Sequence, residues 1–264
     1  MGCWQQPPSR ARPKKTFESM SPQEWSTRCD LAALFRLLAY YRMTDLVDSH
    51  ASACIPGQPD VFLINRYGVP FEKMRASDLV KVGFDGEPVP SGDRSETLNV
   101  AGAVIHSAVH AARADMNCVI HTHTAAGIAV STLEEGLPPL SQHAMKFYGR
   151  LAYHTYGSFI DTQQEQQNML DSLGDSSAML LRNHGIIVGG RTIGEAFHSV
   201  YMLERACQIH VTIRSMNQNI VTPDPDTCSK TSDTFADDYD SGIVALAWQG
   251  GLQIIASQKE QYCC

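Results

Sequence analysis

Two histidines stand two residues apart at the end of an apolar run, in the segment Val119–His123. If this run is a β-strand, successive side chains alternate between its two faces, so His121 and His123 point to the same side. A second apolar run, residues 178–181, is followed closely by His184. The spacing therefore allows three imidazoles to converge at the ends of two strands.

Three neutral imidazoles that leave a coordination position open form a catalytic type of metal site. We therefore predict that His121, His123 and His184 bind a divalent metal, with zinc as the first choice and Fe(II), Mn and Co also open. The alternative is that they are ordinary hydrogen-bonded histidines at strand ends. A rival pair, His106 and His110, has the four-residue spacing of a two-histidine helical site, but the rest of a zincin motif is absent.

The amino-acid composition indicates a folded domain and argues against a nucleic-acid-binding or membrane-spanning protein. The 264 residues are 43% hydrophobic, enough for one large domain with a substantial core. A formal charge of -7 gives no basic surface for nucleic acid. No apolar run approaches the length of a membrane span, so we expect a soluble, cytoplasmic protein.

The eight cysteines show neither CxxC spacing nor an accompanying secretory signal. Reduced thiols in an intracellular compartment are therefore expected. Gly2 and Cys3 could carry a myristoyl and a palmitoyl group as a membrane anchor, but Gln6 stands where the motif requires Ser or Thr.

We predict three regions along the chain. Residues 1–20 are polar, basic and proline-containing, and are expected to be a disordered N-terminal segment. Residues 21–216 are predicted to form the folded domain. Residues 217–264 are predicted to be a linker and C-terminal tail, in which 242–257 could dock as either a helix or a strand.

Capping signals and hydrophobic periodicity predict the main elements of the domain. Helices are predicted from Ser21, over 101–114 and 124–133, from Asp161 to Gly174, and from Thr192 to about Ile213. Two hairpins are predicted, one pairing 61–64 with 69–71 and one running from 79–84 into a turn, with a further strand near 151–155. Short hairpins indicate an antiparallel sheet.

Five segments resemble the class II aldolase and adducin head family, and the likeness runs from about Cys29 to Arg214, strongest to its adducin-like bacterial branch. The segments are Asn99–Gly102, His106–Val109, Val119–His123, Leu181–Gly185 and Leu203–Cys207. The resemblance implies an α/β/α layered fold around a mostly antiparallel sheet. It also implies fourfold oligomers with sites near subunit boundaries, and a divalent metal, commonly zinc, on the three histidines.

The chain departs from the family's sugar-phosphate aldolases at two kinds of position. Their catalytic glutamate aligns with Gly102, and Glu96 lies six residues too early to replace it. Asp48–Ser52 stands where many family enzymes have a Gly-Asn turn, and Asn65–Gly68 replaces a Ser-Gly loop. Losing small, backbone-exposing residues at a phosphate cradle favours a non-phosphorylated substrate.

Without that glutamate, proton transfer needs another side chain. His143 and Tyr148 are candidate catalytic residues because they follow the metal-bearing segment, and Tyr156 is a further candidate. His50 and Asn99 are candidate substrate-binding residues. Each could instead be structural, since tyrosines and histidines often anchor loops by hydrogen bonds.

Three functions stay open. The first is a metal-dependent lyase that cleaves a non-phosphorylated hydroxy-carbonyl or keto-acid substrate through a metal-stabilised enediolate. The second is a non-heme iron oxygenase, as in a few relatives in aminocoumarin biosynthesis. The third is a non-catalytic interaction module with a cytoskeletal partner, as in the adducin head.

The family resemblance predicts a homotetramer. Light scattering at micromolar protein concentration should report four times the mass of one chain. A monomer under these conditions would contradict the expectation that sites lie near subunit boundaries.

Overall fold

A seven-stranded sheet forms the centre of the protein, in the order β3-β2-β1-β4-β7-β6-β5. The computed structural model describes residues 20–89, 97–155 and 162–264. The strands are β1 (His50–Cys54), β2 (Val61–Ile64), β3 (Val80–Gly83), β4 (Cys118–Thr122), β5 (Leu151–His154), β6 (Ala178–Leu181) and β7 (Gly185–Gly190). Neighbouring strands are antiparallel except β5 and β6, which are parallel.

Helices cover both sides of this sheet. They are α1 (Pro22–Tyr40), α2 (Val100–Ala112), α3 (Ala125–Ser131), α4 (Gln142–Met145), α5 (Gln163–Leu173), α6 (Ile193–Ser215), α7 (Pro225–Ala236), α8 (Ile243–Ile254) and α9 (Lys259–Tyr262). Side chains alternate along β4, so Ile120 enters the core formed with α1 and α6, whereas Val119 packs with Val109 of α2. The predicted α/β/α fold with a mostly antiparallel sheet is confirmed.

Local signals explain most element boundaries. Ser21 accepts a hydrogen bond from the backbone N–H of Glu24, and Thr192 does the same for Glu195, as expected of N-caps. Asp161, the predicted cap of α5, lies outside the described residues, and the observed cap is Thr162. The predicted end of that helix at Gly174 is confirmed.

One predicted hairpin does not form. Residues 69–71 were expected to pair with β2, but β2 pairs with β1 and β3, and a 3₁₀ turn begins at Phe71. Pro70 has no backbone N–H to donate to a strand ladder. Phe71 is buried instead, with its ring 4.6 Å from that of Phe35.

The segment after residue 216 is more structured than a linker. It contains α7, whose buried Ser232 accepts a hydrogen bond from Arg150 and donates to the carbonyl of Tyr148. It also contains α8, which docks as a helix on α6, with Trp248 against Gly194. No helix of the described residues is long and apolar enough to cross a membrane.

The expectation that all thiols are reduced is wrong for one pair. Cys29 of α1 and Cys263, which follows α9, form a disulfide across a sequence separation of 234 residues. Burial of Tyr262 holds the C-terminal end of the protein against the core and brings the two cysteines together. Spacing rules could not indicate this pair because the contact is tertiary.

Cys263→Ser should lower the melting temperature, because the cross-link restricts the unfolded chain over nearly its whole length. Such bonds typically contribute about 2–4 kcal/mol, which corresponds to roughly 5–15 °C in a domain of this size. The matched control is Cys264→Ser, since Cys264 is free. Thermal denaturation that shows equal melting for both variants and the wild type would contradict a stabilising role.

Candidate metal centre

The three predicted ligands lie together at one edge of the sheet. His121 is near the end of β4, His123 follows that strand, and His184 lies in the turn between β6 and β7. Nε2 of His123 is 2.8 Å from Nε2 of His121 and 3.0 Å from Nε2 of His184. Among the described residues, this triad is the group of side chains that could hold a metal ion.

Strand pairing explains why the third histidine reaches the first two. The β6–β7 turn places Asn183 in the left-handed region, with φ of 61°, just before His184. A Cβ atom on Gly185 would overlap the carbonyl oxygen of Thr122, so glycine is needed for the turn to approach β4 this closely. The Arg182–Gly185 segment is thus shaped to present His184.

Oxygen acceptors fix the tautomers of two ligands. His121 Nδ1 lies 2.9 Å from the carbonyl oxygen of Ile186, and His123 Nδ1 lies 3.2 Å from Oδ2 of Asp45. Each Nδ1 therefore carries the proton and donates it, which leaves the Nε2 lone pair for a metal. Outer partners of this kind are typical of metal-ligating histidines.

The electrostatics also fit a cation. Burial lowers the pKa of His121 well below its usual value and lowers that of His184 to about 4, so both imidazoles are neutral, the form that binds metal. The Nε2 lone pairs of His121 and His123, 2.8 Å apart, repel each other unless a cation lies between them. The nitrogens that the three histidines offer all lie within 4.8 Å of one another, so one ion could bind all three.

Asp45 was not predicted from the sequence. It lies in the loop between α1 and β1, and nothing in the local pattern distinguishes it from other loop carboxylates. Only the tertiary structure brings the Asp45 carboxylate to the His123 ring, 78 residues away in the sequence.

His50 lies beside the triad. It is directly opposite His121 in the β1–β4 pairing, with ring centroids 4.8 Å apart. A Cβ atom on Gly102 would come within 2.9 Å of the His50 ring. The imidazole therefore lies against Gly102, the residue that was expected from the sequence to align with the glutamate of the family's sugar-phosphate aldolases. Glu96 lies outside the described residues.

Asn99 has a clear structural role. Its Oδ1 accepts the backbone N–H of Gly102 at 3.1 Å and caps α2. That oxygen is committed to the helix, so any substrate contact would fall to the amide nitrogen.

The structure does not bring the two catalytic candidates to the triad within one subunit. His143 lies on α4, which packs on α6 and α7, and the Tyr148 carbonyl accepts from Ser232. Neither side chain forms a hydrogen bond or ring contact with His121 or His123 among the described residues. Tyr156 lies outside those residues.

His106 and His110 are not assembled as a metal pair. Ser52 lies between them and hydrogen-bonds to both rings. Their nitrogens are therefore used in a polar network inside the fold.

The two altered loops contain one carboxylate, that of Asp48, and one guanidinium, that of Arg66. Tyr67 donates its hydroxyl to Oδ1 of Asp48 at 3.2 Å. Asn65 Oδ1 accepts the backbone N–H of Ala51 and thus holds the start of β1. The N–H of Ala51 is therefore not available to bind a phosphate. The Asp48 carboxylate would repel one.

Comparison with known proteins identifies the family. The model described as Class II Aldolase and Adducin N-terminal domain matches residues 29–211. The chain belongs to this family. The recognition made from the sequence motifs is thereby confirmed.

Three similar proteins illustrate its range. A Pseudomonas aeruginosa protein whose name assigns it provisionally to the class 2 aldolases is 41% identical over 79% of this chain and 80% of its own length. The structure of L-fuculose 1-phosphate aldolase from Glaciozyma antarctica has a TM-score of 0.78 and 26% identity, covering 97% of this chain and 96% of that one. Rat alpha-adducin is 38% identical over 75% of this chain but only 27% of its own length.

His123→Ala should release a bound metal while the fold survives, because a domain of this size has an apolar core of its own. Affinity for the ion should fall by at least about tenfold, since losing even an outer hydrogen-bond partner costs about 10–100-fold in affinity. Elemental analysis after dialysis against a metal chelator measures this. The control is His154→Ala on β5, whose ring bonds to Ser172. Unchanged metal content in His123→Ala would refute the triad.

Proposed function

We propose that the protein is a metal-dependent, class II aldolase-like lyase that acts on a non-phosphorylated hydroxy-carbonyl or keto-acid substrate. The observation that carries this proposal is the convergence of three imidazoles, two of them with Nδ1 donating to oxygen acceptors. Family membership supports the same reaction class.

The residues that would hold the divalent ion are His121, His123 and His184. When bound, the ion supplies Lewis-acid stabilisation of negative charge that develops on the substrate's carbonyl and hydroxyl oxygens. Zinc suits three imidazoles with an open position, and Fe(II), Mn and Co also fit this donor set.

The protein's own side chains supply shape and orientation. His50 presents an imidazole beside the ligands, in the space left by Gly102. Asp45 holds the His123 ring in position through Nδ1. Both groups fix the direction from which a substrate can approach the open side of the triad.

Proton transfer by His143 or Tyr148 would require a neighbouring subunit, since one subunit does not bring them to the triad. This extends the proposal to a homotetramer with sites at subunit boundaries. Burial next to Arg205 lowers the pKa of His143, which favours its neutral form as a proton acceptor.

The ligand set favours a lyase over an iron oxygenase. Non-heme Fe(II) oxygenases typically use two histidines and one carboxylate. Here the Asp45 carboxylate hydrogen-bonds to His123 Nδ1 instead of joining the three nitrogens.

A second candidate function is a non-catalytic interaction module. It is favoured by the 38% identity to alpha-adducin over 202 residues. The chain spans about a quarter of that protein, so a shared partner would have to bind this domain alone. Protein that contains no divalent metal and binds a cytoskeletal protein would support this candidate.

The test of the lyase uses a matched pair of ligands, L-fuculose and L-fuculose 1-phosphate, on metal-loaded protein in calorimetry. The phosphate should not improve binding, because Asp48 and Tyr67 occupy the altered loop. A carbonyl product should appear when hydroxy-ketones and hydroxy-keto acids are screened, and should be absent with His123→Ala. Phosphate binding tighter by about tenfold, or 1.4 kcal/mol, would contradict the proposed substrate class.

A further inference from the structure

A row of polar side chains is buried between β1 and α2. Alternation along β1 puts His50 and Ser52 on the face toward α2, and His106 and His110 share one face of α2 because they are four residues apart. All four are at most 4% exposed. Buried polar groups in such a position must be hydrogen-bonded to one another or to the backbone.

These four residues, called here the histidine–serine network, form an unbroken series of hydrogen bonds. Nδ1 of His50 is 2.7 Å from Nε2 of His106, and Nδ1 of His106 bonds to the Ser52 hydroxyl. That hydroxyl is 2.7 Å from Nε2 of His110. Nδ1 of His110 lies 3.0 Å from the carbonyl oxygen of Met116, where the series ends.

The Met116 carbonyl sets the direction of every bond. A carbonyl oxygen can only accept, so His110 Nδ1 carries the proton. A neutral imidazole has one N–H, and His110 Nε2 must therefore accept from the Ser52 hydroxyl. With its single hydrogen used, Ser52 can only accept from His106, whose proton is then on Nδ1.

The same argument reaches His50. Since His106 Nε2 is an acceptor, His50 must donate from Nδ1, and its Nε2 keeps a lone pair. Burial lowers the pKa values of His50 and His106 well below normal and that of His110 to about 4, so the neutral forms prevail at neutral pH. Cys54 Sγ, 3.4 Å from His110 Nδ1, is a second contact of the same N–H and does not change the direction.

The His50 ring, which carries the free lone pair, lies beside the candidate metal centre. The position of a Cβ atom on Gly102 is 3.0 Å from His50 Nε2, and the His50 ring packs on that of His121. No group of the described residues hydrogen-bonds to this nitrogen. Its partner must therefore come from outside those residues.

We propose that the histidine–serine network holds His50 in the Nδ1–H tautomer, so that Nε2 is a fixed hydrogen-bond acceptor that selects a substrate hydroxyl beside the metal. The part of this proposal that concerns the substrate hydroxyl rests on the proposed lyase function. No residue of the network gains or loses a proton. His106, Ser52 and His110 are positioning residues, and His50 is the one that touches substrate.

The acceptor determines which substrates fit. A hydroxyl can donate to Nε2, whereas a keto oxygen or a hydrogen at the same place cannot. Sites built to bond a hydroxyl discriminate strongly against analogues that lack it, because the buried acceptor is left unpaired. The site therefore favours carbonyl compounds that carry a hydroxyl for His50 over keto acids that lack one.

The direct test is neutron diffraction on zinc-loaded protein, or nitrogen NMR of protein labelled with ¹⁵N-histidine, because both report which ring nitrogen carries the proton. The expected result is Nδ1–H at His50, His106 and His110. Nε2–H at His50, or a doubly protonated ring at any of the three, would overturn the network. This readout does not depend on activity, so it stands apart from any failure of the lyase proposal.

Ser52→Ala removes the link and supplies a second readout. Without the hydroxyl, His106 Nδ1 loses its acceptor, and His50 should show a mixture of tautomers. The matched control is Ser107→Ala on α2, because the Ser107 hydroxyl is also buried but has no hydrogen-bond partner among the described residues. Zinc content should remain that of the wild type in both variants.

Binding of two small probes completes the experiment. Wild-type zinc-loaded protein should prefer dihydroxyacetone to hydroxyacetone, which lacks one hydroxyl, by roughly tenfold or more. Ser52→Ala should lose most of this preference and Ser107→Ala should retain it. If Ser52→Ala and Ser107→Ala prefer dihydroxyacetone to the same extent, the positioning role of Ser52 is overturned. If Ser52→Ala fails to fold, the tautomers measured in the wild-type protein still decide whether the network exists.

Discussion

The pairing of β4 with β1 on one side and β7 on the other is the constraint on which the site depends. It sets His50 opposite His121 and brings the carbonyl of Ile186 to the His121 ring. A shift of one residue in either register would turn His121 to the opposite face of the sheet. The strands that form the core therefore also assemble the metal centre.

Backbone carbonyls fix the tautomers of two histidines in and beside the site. Ile186 fixes the proton of one ligand, and Met116, through the histidine–serine network, fixes the proton of His50. In both cases the carbonyl leaves Nε2 of the ring without a proton. This arrangement fits the proposed cation at His121 and the proposed substrate hydroxyl at His50, without a change of charge on either ring.

The sequence predicted the layered fold through the resemblance of five segments to a known family. Alternation in Val119–His123 and the similar end of the 178–181 run indicated that three histidines could converge, and the structure brings them together. The predicted hairpin at 69–71 was wrong because Pro70 has no backbone N–H to donate to a neighbouring strand, although the surrounding residues have a strand-like pattern. Asp45, the Cys29–Cys263 bond and α7 were missed because each depends on tertiary contacts or on helix capping inside a polar segment. His106 and His110 were noticed as a pair, but Ser52 between them has no sequence signature.

We expect the Nε2 atoms of His121, His123 and His184 to hold one divalent ion. Crystals of zinc-loaded protein, measured on both sides of the zinc absorption edge, test it most directly. We expect an anomalous peak about 2.0–2.1 Å from Nε2 of His121, His123 and His184, with the fourth coordination position of the ion not filled by the protein. An absent peak, or a zinc ion bound elsewhere or through Nδ1, would contradict it.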